Sequence, residues 1–235
     1  MTPVEAIILA GGFGTRLKGV IDDMPKTMAL INEKPFLEYL LDYLGNFGIE
    51  HVILSVGYKW EQISRHFGDR YGSIKLSYAV ESEPLGTGGG IRLAMEKTMG
   101  DHVFILNGDT FFRVNLHDLA EFYLAHNADL CLSVKRMRDF YRYGTIELDV
   151  CKVVNFREKK PVSSGLINGG VYVTSASLFD RFDLPSIFSF ETDFLEKQLE
   201  ALKICAMHSS EYFIDIGVPA DYEKAKSELP LLVSK

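Results

Sequence analysis

The chain has 235 residues, 47% of them hydrophobic, which is enough for one full-sized core and makes a single domain the expectation. Its 25 basic and 32 acidic side chains leave a formal charge of −7, which excludes a broad basic nucleic-acid footprint and requires any phosphate site to be local. The 3 cysteines, Cys131, Cys151 and Cys205, show no CxxC spacing, so they imply neither a zinc site nor a disulfide framework and read as buried apolar thiols.

No basic leader precedes the first strand-like run, and no apolar stretch approaches the ~20 residues of a membrane helix. A soluble cytoplasmic protein is expected. Glu5–Leu9 reads as a short β-branched strand. Phe36–Phe47 carries apolar residues at a helical period and stops at Gly48, and His51–Val56 is the next strand. Trp60–Phe67 reads as a helix, Ile74–Val80 as a strand, Thr87–Thr98 as a helix and Val103–Leu106 as a buried strand. Leu116–Asn127 and Leu130–Val134 follow as helix and strand. Strands separated by helices of this length need crossover connections, so a parallel sheet covered on both faces is expected. From about Gly144 the pattern changes to close strands, Thr145–Leu148, Val153–Arg157 and Gly170–Thr174, which predict a small antiparallel extension. Helices are expected at Ser175–Phe182, at Glu191–Leu202 and after Tyr222. There is no internal repeat and no linker long enough to separate two domains.

Residues 9–17 read LAGGFGTRL, directly behind the first strand. Glycines there let backbone N–H groups approach phosphate oxygens that a Cβ would keep away. The dinucleotide pattern fails because Leu17 stands where its third glycine belongs, and the P-loop Gly-Lys-Ser/Thr is absent. Instead Arg16 closes the loop and Pro25-Lys26 follows ten residues later. A planar guanidinium and a mobile ammonium suit a triphosphate whose charge accumulates on a leaving pyrophosphate. The competing account is a tight turn with a surface arginine.

This loop, with Pro25-Lys26 and the spaced motifs below, resembles the sugar-1-phosphate nucleotidyltransferase family from Ala6 to about Pro219. The resemblance implies a Rossmann-like α/β fold: a mostly parallel twisted sheet with helices on both faces. It also implies transfer of a nucleotidyl group from a nucleoside triphosphate to a sugar 1-phosphate. Residues 1–235 would form one domain, with about 1–135 binding nucleotide and about 136–222 binding sugar phosphate. Leu9, Gly11, Gly12, Gly14 and Thr15 would contact the nucleotide. Arg16 would stabilise the leaving pyrophosphate and Lys26 would contact phosphates, of nucleotide or sugar.

FILNGDTFF puts Asp109 just after a buried strand, and YFIDIGVP puts Asp215 after another apolar run. Carboxylates at strand ends are placed to hold Mg²⁺ against phosphates, and the family uses the matching aspartates for catalytic Mg²⁺. Each could instead be a turn residue.

AVESEPLGTGGGIRLA occupies the family's base-binding segment, with Gly86, Thr87 and Gly88 approaching base and ribose. Gln is common at the position of Glu81 in thymidylyl and uridylyl members. A carboxylate only accepts, which suits the adjacent N1–H and N2–H donors of guanine; Glu83 is the other candidate, and either could be a solvated acid. Gly57 in LSVGY is a further nucleotide contact by resemblance. On the sugar side the resemblance points to Gly144, to Glu158 and Lys159 in FREKKP, to Asn168 and Gly169 in INGGVYV, and to Glu191 in FSFETDFL. Asp193 is either a sugar contact or a helix cap.

Within the family, EPLGTGGGIRLA and VILSVGYKWEQISRHFGDRYG resemble the bacterial branch that transfers guanylyl groups to D-glycero-α-D-manno-heptose 1-phosphate for surface glycans. The implied partners are GTP and a sugar 1-phosphate, with no nucleic acid and no membrane; a homodimer stays open. Another sugar (mannose 1-phosphate first), another base, or a non-catalytic nucleotide-sugar-binding subunit remain alternatives. Intact Arg16, Lys26, Asp109 and Asp215 speak against the last.

Overall fold

The computed structural model describes residues 2–12 and 24–233. Strand β1 (Glu5–Leu9) leads through the small hairpin β2 (Leu30–Ile31) and β3 (Lys34–Pro35) into helix α1 (Phe36–Gly45). The chain continues through β4 (His51–Val56), α2 (Trp60–Phe67), β5 (Arg70–Tyr71), β6 (Ile74–Val80), α3 (Gly86–Met95) and β7 (His102–Asn107). The order β7-β1-β4-β6 is wholly parallel at these pairings. The chain moves outward from β1 to β4 and β6, then returns through α3 to the other side of β1. That reversal of direction makes a crevice beyond the carboxyl ends of β1 and β7, the place where open α/β sheets collect ligands.

The strands read as continuous apolar runs because both faces are covered. In β1, Ala6 and Ile8 join the core under α1, while Ile7 joins the core under α3. Phe104 and Leu106 of β7 alternate with Val103 and Ile105 in the same way. On the first face lie α1, α2, α4 (Leu116–Ala125) and α5 (Pro219–Val233). On the second lie α3 and the phenylalanines of residues 179–194. Asn115 starts α4 by accepting from the His117 and Asp118 N–H groups at 2.9 and 3.2 Å.

Between β7 and α4 the short β8 (Thr110–Phe112) leaves the main sheet and pairs with β14 (Phe213–Asp215). The second half adds β9 (Leu130–Phe140), β10 (Thr145–Asp149), β11 (Lys152–Arg157), β12 (Val162–Ser175) and β13 (Ile204–His208). The ten-stranded order is β10-β11-β13-β9-β12-β7-β1-β4-β6-β5. The α/β class is as expected, but the antiparallel part is larger than the small extension predicted. Strands β9 and β12 run 11 and 14 residues, because Ser163-Ser164-Gly165, which looks like a turn, pairs along β9. The register of that pair slips between Asn168 and Tyr172, where Gly170 takes a φ of +72°.

Two expected helices are absent. Ser175–Phe182 forms successive short turns, with N–H groups of Leu178, Asp180 and Phe182 bonded three residues back. Glu191–Leu202 contains only the π-helix Phe190–Leu195 followed by turns. The cause is packing: Phe179, Phe182, Phe188, Phe190 and Phe194 form one aromatic cluster against the sheet, and seating them overrides helical propensity. The three cysteines, scattered in sequence, converge around β13: Cys151, in the turn before β11, has its sulfur 3.4 Å from that of Cys205, and Cys131 of β9 is in register with Cys205. Cys131 and Cys205 are buried as expected, whereas Cys151 is half-buried. All three are free thiols. Among the described residues no helix is long and apolar enough to cross a membrane.

Candidate active site

Lys26 opens a short 3₁₀ turn after Pro25 and is only 7% exposed. An ammonium so buried needs anionic partners. It finds Asp109 Oδ2 at 2.5 Å and Asp215 Oδ1 at 4.0 Å. Asp109 owes its position to Gly108, whose N–H donates to the Leu9 carbonyl at 3.1 Å. A Cβ on residue 108 would stand 2.3 Å from that carbonyl oxygen, so only glycine lets the β7–β8 turn close over the end of β1. Asp215 arrives from the far side of the chain as the last residue of β14, opposite Thr110 of β8. Its Oδ1 accepts from the Gly217 N–H at 2.7 Å and its Oδ2 from the Tyr143 hydroxyl at 3.3 Å. Burial, then the negative charge of Asp109, push the Asp215 carboxyl above its ordinary range, against the opposing pull of Lys26, Gly217 and Arg142.

Among the described residues two carboxylates, Asp109 and Asp215, face this one ammonium. Among the described residues no group of three or more His, Cys, Asp or Glu side chains forms a closed metal cage. That donor set fits Mg²⁺, which binds through one or two carboxylates and keeps its remaining positions for water and phosphate oxygens. Asp109 and Asp215 are the residues that would hold it.

A cavity of about 330 Å³ opens from this cluster. Lys26 and Asp109 line one part of it; Leu9, Gly11, Gly12 and Glu81 line another, with Thr87 and Glu191 also on the wall. Among the described residues, a Cβ at Gly12 would meet nothing within 4 Å. Gly57 lies behind Gly11, whose Cβ position is 3.4 Å from the Gly57 nitrogen. The predicted contacts Gly14, Thr15 and Arg16 lie outside the described residues. Of the two candidate glutamates, Glu81 faces the cavity, half-buried, while Glu83 is exposed. The Leu85 N–H donates to Glu81 Oε2 at 3.1 Å. Burial pushes the Glu81 carboxyl up, and the Leu85 N–H and Ser55 hydroxyl only partly offset it.

The glycines of LGTGGG do something the sequence does not reveal. A Cβ at Gly86 would lie 2.6 Å from the Phe188 carbonyl oxygen, and one at Gly88 would lie 2.2 Å from the Phe188 ring. The Gly88 N–H donates to that same carbonyl at 2.9 Å. These residues are small so that the 186–190 segment can lie across the start of α3. Gly86 and Thr87 still line the cavity, whereas Gly88 is buried behind it.

That crossing segment brings Glu191 to the cavity. Its Oε2 accepts from the Thr87 hydroxyl at 3.2 Å, which joins the nucleotide half to the second half of the chain. Its Oε1 accepts from the Tyr172 hydroxyl at 3.1 Å, and Tyr172 in turn accepts from Asn168 Nδ2 at 2.6 Å. Gly169 packs against the Phe112 ring and Gly144 against the Arg157 carbonyl. Glu158 and Lys159 are exposed in the β11–β12 connection and do not line the cavity. Asp193 is a cap: its Oδ2 accepts from the Ser189 N–H at 2.8 Å. Sequence reasoning missed Arg142, which pairs with Asp221 and donates to the Tyr143 hydroxyl at 3.1 Å. No local signal marks it, because its partner lies 79 residues away.

A family model described as Nucleotidyl transferase matches residues 5–230. The chain is 49% identical over 226 residues to the D-glycero-alpha-D-manno-heptose 1-phosphate guanylyltransferase of Aneurinibacillus thermoaerophilus, spanning 96% of this chain and 98% of that one. It is 47% identical to the enzyme of the same name from Campylobacter jejuni, spanning 93% and 97%. The crystal structure of HddC from Yersinia pseudotuberculosis complexed with GMP-PN superposes with a TM-score of 0.86 at 38% identity, over 95% of this chain and 98% of that one. The near-full-length match, on a chain whose two strand-end aspartates share one buried lysine, places it in the nucleotidyl transferase family.

Proposed function

We infer that this chain is a guanylyltransferase that converts GTP and D-glycero-α-D-manno-heptose 1-phosphate to GDP-heptose and pyrophosphate. The observation that carries the reading is one cavity walled by the Lys26–Asp109 pair and by Glu81. Charge for phosphates and an acceptor for a nucleobase thereby face one space. Relatives sharing 47–49% of their residues bear that activity in their names.

A phosphate oxygen of the sugar 1-phosphate attacks the α-phosphorus of GTP in line. The new P–O bond forms as the bond from the α-phosphorus to its β-bridging oxygen breaks, and pyrophosphate departs. No covalent enzyme intermediate is required; catalysis is positioning plus charge neutralisation. Mg²⁺ held by Asp109 and Asp215 would supply the neutralisation of phosphate charge. Lys26 exchanges its hold on Asp109 for phosphate oxygens, and Arg16 steadies the leaving pyrophosphate. Gly11, Gly12, Gly14 and Thr15 cradle phosphates. Glu81 accepts from guanine N1–H and N2–H, while Glu191 on the cavity wall, with Asn168, Gly144, Glu158 and Lys159 outside its lining, engages the sugar phosphate. Residues 1–135 and 136–222 are then the nucleotide and sugar-phosphate halves of one cytoplasmic domain whose product feeds surface polysaccharide.

A matrix of nucleoside triphosphates against sugar 1-phosphates, read by pyrophosphate release, tests this. The highest kcat/KM belongs to GTP with the heptose 1-phosphate. Preference for UTP, dTTP or CTP overturns the guanylyl reading, and preference for mannose 1-phosphate overturns the sugar. Binding of GDP-sugar with no turnover on any pair makes the chain a non-catalytic subunit.

A further inference from the structure

Tyr172 lies on β12, fully buried, with its ring edge-on to Phe190 at a centroid distance of 5.3 Å. A buried phenol needs hydrogen-bond partners, and most find a backbone group. Here both partners are side chains of the proposed sugar site: Asn168 donates through Nδ2 at 2.6 Å, and the phenol donates to Glu191 Oε1 at 3.1 Å. Every proton direction in this chain is determined. Asn168 Oδ1 accepts from the Gly170 N–H at 3.0 Å, which orients its amide so that Nδ2 points to Tyr172. Having accepted from Asn168, the phenol sends its single proton to Glu191. From the other side, Thr87 Oγ1 accepts from the Phe190 N–H at 2.8 Å and sends its own proton to Glu191 Oε2 at 3.2 Å. Glu191 thus ends two converging donor chains, with one oxygen held by each.

We propose that Tyr172 is a positioning residue for sugar recognition, its hydroxyl holding Asn168 and Glu191 in one fixed relation so that both present to the hydroxyls of the sugar 1-phosphate. The proposal rests on the reading of Asn168 and Glu191 as sugar contacts. With each Glu191 oxygen held once by the protein, each retains acceptor capacity for a substrate hydroxyl, so the carboxylate suits a pair of neighbouring hydroxyls. Asn168 retains one amide N–H for a substrate oxygen. The burial of Tyr172, with the charge of Glu191 second, keeps the phenol protonated and hence a donor. No loop closure is involved, because the relay already joins β12, the π-helix and α3.

The test is Tyr172→Phe, which keeps the ring and removes only the hydroxyl, measured beside Glu191→Gln and the unmodified enzyme. In Tyr172→Phe the KM for sugar 1-phosphate rises about tenfold while the KM for GTP stays within about twofold. The double variant Tyr172→Phe/Glu191→Gln is then no worse than Glu191→Gln alone, because both substitutions break one relay. If Glu191→Gln raises the sugar-phosphate KM but Tyr172→Phe does not, or if the two effects add fully, the positioning role fails while the site reading stands. If Glu191→Gln leaves that KM unchanged, the reading of the site itself fails. Where Tyr172→Phe does not fold, 3-fluorotyrosine at position 172 replaces it. Its ¹⁹F resonance shifts on adding sugar 1-phosphate to the GTP-analogue complex, and an unmoved resonance overturns the proposal.

Discussion

The Lys26 ammonium sits 2.5 Å from Asp109 although 83 residues separate them in sequence, and Asp215 approaches the same nitrogen at 4.0 Å from the end of another strand. The cation and both anions are more buried than exposed, so each depends on the others for the charge that water no longer screens. In the proposed reaction, phosphates and a metal ion exchange with these partners.

Asp109→Asn keeps the shape and the hydrogen bond to Lys26 while removing one of the two carboxylates proposed to hold Mg²⁺. Turnover falls by about 10³-fold or more, while the circular dichroism spectrum is unchanged because Asp215 still neutralises Lys26. Pyrophosphate release under saturating GTP and Mg²⁺ is the measurement; activity within tenfold of the parent removes Asp109 from the metal role.

Glu81→Gln replaces an acceptor-only group with one that both donates and accepts, in a cavity wall whose Leu85 and Ser55 donors stay in place. The kcat/KM for GTP drops about 10–100-fold, and that for UTP or dTTP changes far less. Equal losses for all nucleotides would assign base reading to the backbone instead.

Gly88→Ala sets a methyl carbon 2.2 Å from the Phe188 ring, which is 3% exposed and locked among Phe179 and Phe194. The ring has nowhere to go without disturbing that cluster. Overpacking of this kind costs about 2 kcal/mol, or roughly 6 °C of Tm in a chain of this length. Adding Phe188→Leu recovers part of the loss in calorimetry. An unchanged Tm shows that the 186–190 segment does not bear on α3 as described.

Glu5 is buried at the start of β1, where its carboxylate meets His51 Nδ1 at 2.6 Å and accepts from the Met99 and Gly100 N–H groups at 2.8 and 2.6 Å. Burial pushes this carboxyl up, but the His51 bond and the two N–H donors together outweigh burial and hold it below its ordinary value. A depressed acid stabilises the fold above the ordinary glutamate range and loses that contribution as the pH falls through the folded value. Glu5→Gln therefore costs about 2 kcal/mol at pH 7, and parent and variant converge in acid. Urea unfolding from pH 7 down to pH 3 measures this; a gap that widens on acidification contradicts it.

The parallel half was legible in the sequence because buried strands and amphipathic helices carry their periodicity locally: β4, α2 and β6 fall where the pattern puts them. The second half was less so. Phe179 and Phe182 stand three residues apart, and Leu195, Leu199 and Leu202 follow an i, i+4, i+7 spacing, yet the rings of Phe179, Phe188 and Phe194 pack in one cluster over turns and a single π-helix. Asp109, Asp215 and Glu81 were identifiable as candidates because each stands at or just past the end of a strand, and Lys26 because it follows the glycine-rich loop in Pro25-Lys26. Tyr172 was not, since a tyrosine inside an apolar strand looks like core until its hydroxyl partners are known.

By itself the sequence determined the class of chemistry: charged and glycine-rich residues at strand ends, in an order that leaves few other uses for them. The tertiary structure decided which residues meet. It put Glu81 rather than Glu83 on the cavity, set Gly86 and Gly88 against Phe188, and drew Asn168, Tyr172, Glu191 and Thr87 into one relay. Sequence spacing specifies local periodicity, whereas such contacts depend on strand order, register and crossings between segments far apart along the chain.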